Sequence, residues 1–192
     1  MSILYKFNLK NELISIRDEI IFEASKKRDL ANYTYRIITE YDSYLYDILL
    51  NKCRSLFNFT LYDKDFKLYC LYNDKSYMGA HNKWHNHKRS STINSVLYLK
   101  TVNGCGLKYC EEYETDQKDF SPEFCKMYEN GRSIKYIEPK DFDLLIFPDY
   151  MMHTPFFPKD TLKDQTRVSL NLEIRCRESS IDIFNKKTFK YF

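Results

Sequence analysis

The sequence changes character at Asn58, and the part of the chain after this residue constrains the fold more than any other feature. From there on, short runs rich in aromatic and β-branched residues recur, typical of strands. The runs are Phe66–Tyr72, Asn94–Lys100, Leu107–Tyr109, Ser133–Ile137, Asp143–Phe147 and Arg167–Arg175. Turn-forming pairs such as Asn103-Gly104 and Asn130-Gly131 separate them. This succession predicts an antiparallel sheet that closes into a jelly roll or a barrel.

Two amphipathic helices are predicted before the strands. The first runs from Asn11 to about Arg28 and places apolar side chains on one face. The second runs from Thr39 to about Phe57, and Thr39 and Asp42 have the spacing of a capping box. We expect both helices to pack against the outside of the sheet. The fold class is therefore predicted to be α+β, mainly β.

Length and composition fit one soluble domain. The 192 residues predict a single domain, with helical support in 1–58 and a jelly-roll core in 59–192. A net charge of +3, from 30 basic and 27 acidic residues, is too even to indicate a nucleic-acid partner. No apolar run is long enough to span a membrane, and Met1-Ser2-Ile3 begins no signal peptide. We therefore expect a cytoplasmic protein whose six cysteines are reduced.

Three of the four histidines lie in two places, and each place adjoins a predicted strand. His85 and His87 are two residues apart, so on an extended segment their side chains point the same way. His153 would approach from another strand. Neutral imidazole is the commonest protein ligand of first-row transition metals. The pattern predicts a mononuclear metal centre.

Three motifs, in this order along the chain, carry a family resemblance. They are His85-Asn86-His87 before the strand Ser95–Leu99, the run Asp143–Pro148 before His153, and Arg167-Val168-Ser169-Leu170-Asn171. Over roughly residues 80–175 the chain resembles the 2-oxoglutarate- and Fe(II)-dependent oxygenases, and most closely their small stand-alone prokaryotic and phage members. The resemblance implies a double-stranded β-helix with Fe(II) at one mouth, which uses 2-oxoglutarate and O2.

The resemblance also assigns roles to individual residues. His85 and His153 fall on two of the family's metal ligands. Arg167 falls on the arginine that binds the distal carboxylate of 2-oxoglutarate, and Tyr98 and Ser169 fall where further hydrogen bonds to that carboxylate arise. The physical chemistry agrees for Arg167, because a guanidinium presents a rigid fork of donors suited to a carboxylate.

One position departs from the family pattern, which is His-x-Asp. His87 stands where that carboxylate would be, and no Asp or Glu occurs between Asp74 and Glu111. Either His87 completes a three-histidine site, which we favour, or Asp149 supplies the carboxylate. We expect His81 to be a surface or outer-shell residue.

Other functions are compatible with the same residues. Three histidines and a water also describe a catalytic zinc site, so a zinc hydrolase is an alternative. A non-enzymatic jelly roll that binds a small anion or a protein is another. The tripeptide His-Asn-His does not indicate an HNH nuclease, whose key residues are widely spaced. The primary substrate is undefined: a protein side chain, an amino acid or a nucleotide all fit. Loops Asp116–Phe124 and Phe156–Gln165 are expected to border the mouth.

Overall fold

Two antiparallel sheets form the framework of the protein. The computed structural model describes residues 3–26, 34–35, 42–74, 83–88, 90–111, 122–158 and 165–185. The strands in this part are β1 (Tyr5–Asn8), β2 (Thr34–Tyr35), β3 (Leu61–Asp74), β4 (Ile93–Lys100), β5 (Gly106–Cys110), β6 (Lys135–Ile137), β7 (Asp143–Pro148), β8 (Met152–Phe156) and β9 (Thr166–Cys176). Six of them form a sheet in the order β1-β7-β4-β9-β3-β2, and three form a second sheet in the order β6-β5-β8. Every pairing is antiparallel, as predicted.

Five helices accompany the sheets in the described residues. They are α1 (Lys10–Leu13), α2 (Arg17–Lys26), α3 (Asp42–Leu56), α4 (Pro122–Glu129) and α5 (Ser180–Asn185). None of these helices is long and apolar enough to cross a bilayer. The prediction of one helix from Asn11 to Arg28 was wrong, because a turn at Ile14–Ile16 divides it. Two β-branched residues flank Ser15 at this turn and have low helix propensity. Leu13 and Ile20, on either side of the break, are both fully buried.

The main hydrophobic core lies between the helices and one face of the six-stranded sheet. Leu45, Leu49 and Cys53 form the buried stripe of α3, spaced four residues apart as predicted. Val168, Leu170, Leu172 and Ile174 of β9 enter the same cluster. The helices therefore cover the outside of the sheet, as the sequence indicated. The N-terminal segment is not purely helical, because β1 and β2 also extend the sheet.

A smaller apolar cluster occupies the opposite side of the sheet. It joins Leu145 and Phe147 of β7 to Tyr98 of β4 and to Leu107 and Tyr109 of β5. The two sheets are therefore held together by side chains from their facing surfaces. The polar residues of the candidate site share this inner side with the cluster.

Candidate metal centre

The backbone brings the two histidine segments side by side. His85 and His153 exchange two main-chain hydrogen bonds of 3.0 Å, which form an isolated antiparallel bridge. The N–H of His87 donates to the carbonyl of Asp149 at 2.8 Å. Trp84 fixes the segment from the other side, because it is buried and its Nε1 donates to Glu129 Oε1 at 3.1 Å. His85 and His87 thus face His153 across a short stretch of paired strand.

Each imidazole is oriented by a hydrogen bond at Nδ1. His85 Nδ1 lies 2.9 Å from the carbonyl of Lys83, and His153 Nδ1 lies 2.9 Å from the carbonyl of Met151. His87 Nδ1 lies 3.2 Å from Glu173 Oε1. Carbonyl and carboxylate oxygens only accept, so each Nδ1 carries the ring proton. In the neutral rings the lone pairs are therefore on the three Nε2 atoms.

These lone pairs converge. One ring nitrogen from each histidine lies within 4.8 Å of the others, and His87 Nε2 is 3.3 Å from His153 Nε2. Two lone pairs this close repel unless a cation or a proton lies between them. A metal about 2.0–2.1 Å from each nitrogen separates neighbouring ligands by roughly 3.0–3.4 Å. His87 and His153 therefore have the spacing of two ligands of one divalent transition metal, and the three histidines together could hold such an ion.

Burial keeps two of the rings neutral. Removal from water, together with the nearby His87, lowers the pKa of His85 to about 4. Removal from water also holds the pKa of His153 well below 6.5, and the neighbouring His85 and His87 add to this. Metals bind the neutral form of imidazole, so these residues need lose no proton near neutral pH.

The triad lies in the wall of a cavity of about 600 Å³. The floor includes four residues of β9 whose side chains alternate with the core residues of that strand: Arg167, Ser169, Asn171 and Glu173. Apolar side chains of β4, β5 and β7 complete it: Val96, Leu107 and Phe147. A metal held by the histidines would thus face a cavity large enough for a small organic acid and part of a second molecule.

A buried arginine lines the same cavity. Arg167 is only 3% exposed, and its Nη1 donates to the carbonyl of Gly106 at 3.3 Å. Its guanidinium lies against the rings of Tyr98 and Phe157, at 5.6 and 4.9 Å from their centroids. Burial raises the pKa of Tyr98, although the Arg167 charge opposes this, so the phenol stays protonated and can donate. This wall offers donors to an anion.

Ser169 adds a further polar group beside Tyr98. The two residues are cross-strand partners on β9 and β4. The Ser169 hydroxyl is buried and has no hydrogen-bond partner among the described residues. A buried polar atom without a partner is costly, so a ligand at this point would be favoured.

Solved structures that superpose over most of the chain establish the fold. No family model and no curated protein matches the sequence. HygX from Streptomyces hygroscopicus, solved with nickel and 2-oxoglutarate bound, superposes with a TM-score of 0.61 at 13% identity, over 90% of this chain and 83% of HygX. A Pseudomonas putida prolyl-4-hydroxylase gives 0.56 at 14% identity, over 92% and 94% of the two chains. IDO from Bacillus thuringiensis gives 0.53 at 12% identity, over 92% of each chain.

The chain has the fold of the 2-oxoglutarate- and Fe(II)-dependent oxygenases. This confirms the predicted double-stranded β-helix and the structural resemblance. In this fold, His85, His87 and His153 form a cluster that could hold a metal ion. The roles assigned to individual residues stay predictions, because identities of this size establish the fold alone.

Within the oxygenase fold, Asp149 lies outside the histidine cluster. Its main-chain carbonyl accepts the His87 N–H, and its carboxylate is hydrogen-bonded by the Ser180 side chain. His81 lies outside the described residues, as do most of Asp116–Phe124 and much of Phe156–Gln165.

Glu173, which contacts His87 directly, was not predicted as a site residue from the sequence. Burial would raise the pKa of Glu173, but hydrogen bonds with His87 and Tyr69 outweigh it and lower the pKa to about 2. Period-two alternation from Arg167 could have placed Glu173 on the cavity face. No sequence signal placed it beside His87, because that contact depends on how β9 lies against the His85–His87 segment.

Proposed function

We propose that this protein is a 2-oxoglutarate- and Fe(II)-dependent oxygenase of the hydroxylase type. The observation that carries the proposal is one cavity with two chemically different walls: three converging imidazoles, and a buried arginine flanked by a tyrosine and a serine. A protein that only bound a metal would need the three imidazoles but not the wall that contains the arginine. One structural neighbour, HygX, has been solved both with iron bound and with nickel and 2-oxoglutarate bound, which supports both ligands.

His85, His87 and His153 would hold Fe(II) through Nε2, with each ring oriented at Nδ1. Arg167 would receive the distal carboxylate of 2-oxoglutarate, because a guanidinium can donate two parallel hydrogen bonds to it. Tyr98 and Ser169 would donate to the same carboxylate. The iron, with 2-oxoglutarate and O2, supplies the oxidising chemistry, and the chain supplies binding and orientation.

The remaining walls would exclude water and receive the primary substrate. Phe147, Val96 and Leu107 form the apolar side of the cavity. The buried Nδ2 atoms of Asn94 and Asn171 line it and have no hydrogen-bond partner among the described residues. Both amide groups can therefore donate to polar groups of a bound molecule. A protein side chain, an amino acid and a nucleotide all carry such groups.

Release of succinate from 2-oxoglutarate tests the proposal. The protein, freed of metal, is incubated with 2-oxoglutarate and either Fe(II) or Zn(II), in air and without oxygen. We expect succinate only with iron in air, at a slow uncoupled rate in the absence of primary substrate. A zinc hydrolase or a binding module would yield no oxygen-dependent succinate, and that result would refute the proposal.

A further inference from the structure

We propose that Glu173 is the carboxylate of this metal centre and acts through His87 instead of binding the metal itself. The inference rests on the metal site of the proposed function and adds a residue to it. Glu173 would be a positioning residue, because it touches a ligand and not the metal.

The geometry places Glu173 directly behind a ligand. Its Oε1 lies 3.2 Å from His87 Nδ1, while Nε2 on the far side of the same ring points toward His153 Nε2 at 3.3 Å. The imidazole therefore bridges the carboxylate and the position where the ligands converge. A carboxylate in this place fixes the ring orientation and makes the imidazole a stronger donor to a metal.

Glu173 is itself held firmly. The Tyr69 hydroxyl donates to the same Oε1 at 2.7 Å, and Lys67 Nζ lies 3.9 Å from Oε2. Tyr69 and Lys67 belong to β3, which is paired with β9 in regular register from Phe66 to Asp74. Glu173 is only 8% exposed, and its Oε2 has no hydrogen-bond partner among the described residues, so the contacts of Oε1 with Tyr69 and His87 hold this buried charge.

Among the described residues, neither of the other two ligands has a carboxylate hydrogen-bonded to its Nδ1. His85 and His153 donate to main-chain carbonyls, which carry no net charge. Three neutral imidazoles leave the full charge of a divalent metal uncompensated by the chain. Glu173 would supply one negative charge, separated from the metal by the width of the His87 ring.

The test compares metal affinity in matched variants, without 2-oxoglutarate or oxygen chemistry. Glu173→Gln keeps the length and a hydrogen-bond acceptor but removes the charge. We expect Co(II) and anaerobic Fe(II), titrated against a competing chelator, to bind about 10–100-fold more weakly, the usual effect of losing an outer-shell partner. Glu138→Gln, at a surface residue that accepts the Gly104 N–H, is the control and should bind as wild type does.

A double-mutant cycle separates a charge effect from a structural one. In the His87→Asp variant a carboxylate binds the metal directly, and the imidazole through which Glu173 acts is absent. Glu173→Gln in that background should therefore no longer weaken binding, and should strengthen it by relieving repulsion between two carboxylates. An equal weakening in both backgrounds would mean that Glu173 only supports the fold, and would overturn the inference.

A measurement on the unaltered protein avoids any question of folding. In the Zn(II)-loaded, ¹⁵N-histidine-labelled protein, the Nδ1 resonance of His87 should be displaced toward that of imidazolate, relative to those of His85 and His153. Three equivalent Nδ1 resonances would refute the inference. Wild-type protein that binds no metal would refute the proposed function as well, whereas tight binding that is unchanged in Glu173→Gln would refute this inference alone.

Discussion

Acid should destabilise the metal-free protein, because folding removes two imidazoles from water in their neutral form. The pKa of His85 is about 4 in the folded chain, against 6.5 when exposed. Between these values the unfolded state binds more protons than the folded state, so the free energy of unfolding falls as the pH falls. The effect is absent above pH 6.5 and complete at about pH 4. Burial of His153 acts in the same direction.

The magnitude follows from the size of the shift. One pH unit over which a single proton is excluded costs about 1.4 kcal/mol, so a shift from 6.5 to about 4 should make His85 account for roughly 3–3.5 kcal/mol across the whole window. Each kcal/mol corresponds to about 2–4 °C in the melting temperature of a domain this size. Most of this loss should disappear when a divalent metal occupies the three Nε2 atoms, because the metal competes with the protons.

Unfolding by urea in the presence of a chelator, at pH 7.5, 6.5 and 5.5, measures the effect. The matched variant is His85→Gln, which cannot take up the proton. The stability difference between wild type and His85→Gln should shift toward the variant by about 1 kcal/mol between pH 6.5 and 5.5. A difference independent of pH, or one that favours wild type more at acid pH, would refute the assignment of His85 as a buried neutral imidazole.

Three further predictions concern the ligands themselves. Arg167→Lys should weaken 2-oxoglutarate binding by roughly 1.5–3 kcal/mol, because the bidentate fork is lost, while Fe(II) affinity stays nearly unchanged; the metal-to-ligand absorption band of the anaerobic complex reports both. His85→Ala and His153→Ala should each abolish succinate formation yet melt, without metal, close to metal-free wild type; full turnover in either would remove it from the site. His87→Ala should bind Fe(II) much more weakly, His87→Asp should still bind it, and Asp149→Asn should bind it normally. If iron titrations instead showed weak binding by Asp149→Asn and normal binding by His87→Ala, Asp149 would be the ligand.

The local patterns in the sequence were sufficient for much of the fold. Alternation and turn pairs placed most of the strands, and both Gly104 and Gly131 adopt the positive φ that their turns require. The strand Met152–Phe156 was not predicted, because Pro155 and the polar His153-Thr154 do not form a β-rich run. The strand forms because it pairs in regular register with β5, including the Tyr109–His153 pair. These two residues are 44 positions apart in the sequence, so no local pattern indicates the pairing.

The residues of the candidate site also fall into two groups, those predicted from the sequence and those that were not. Residues recognisable by type and order, such as His85, His153 and Arg167, were selected from the sequence and lie around one cavity. Glu173 and Tyr69 were missed because a glutamate in a strand and a tyrosine in an aromatic-rich chain are unremarkable by themselves. The contact between Tyr69 and Glu173 arises from the pairing of β3 with β9, and the contact between Glu173 and His87 arises from how β9 lies against the His85–His87 segment. Contacts between strands, rather than patterns within them, carry that information.

The strict alternation of β9 also limits how this protein can vary during evolution. Arg167, Ser169 and Glu173 face the cavity while the intervening residues fill the core, and β9 is paired on both sides, with β3 and β4. Substitutions on the cavity face can change specificity without loss of apolar packing. An insertion or deletion of a single residue within β9 would instead exchange the two faces, placing charges in the core and leucines in the cavity. Homologues should therefore differ in length in the connections before and after this strand, and never within it.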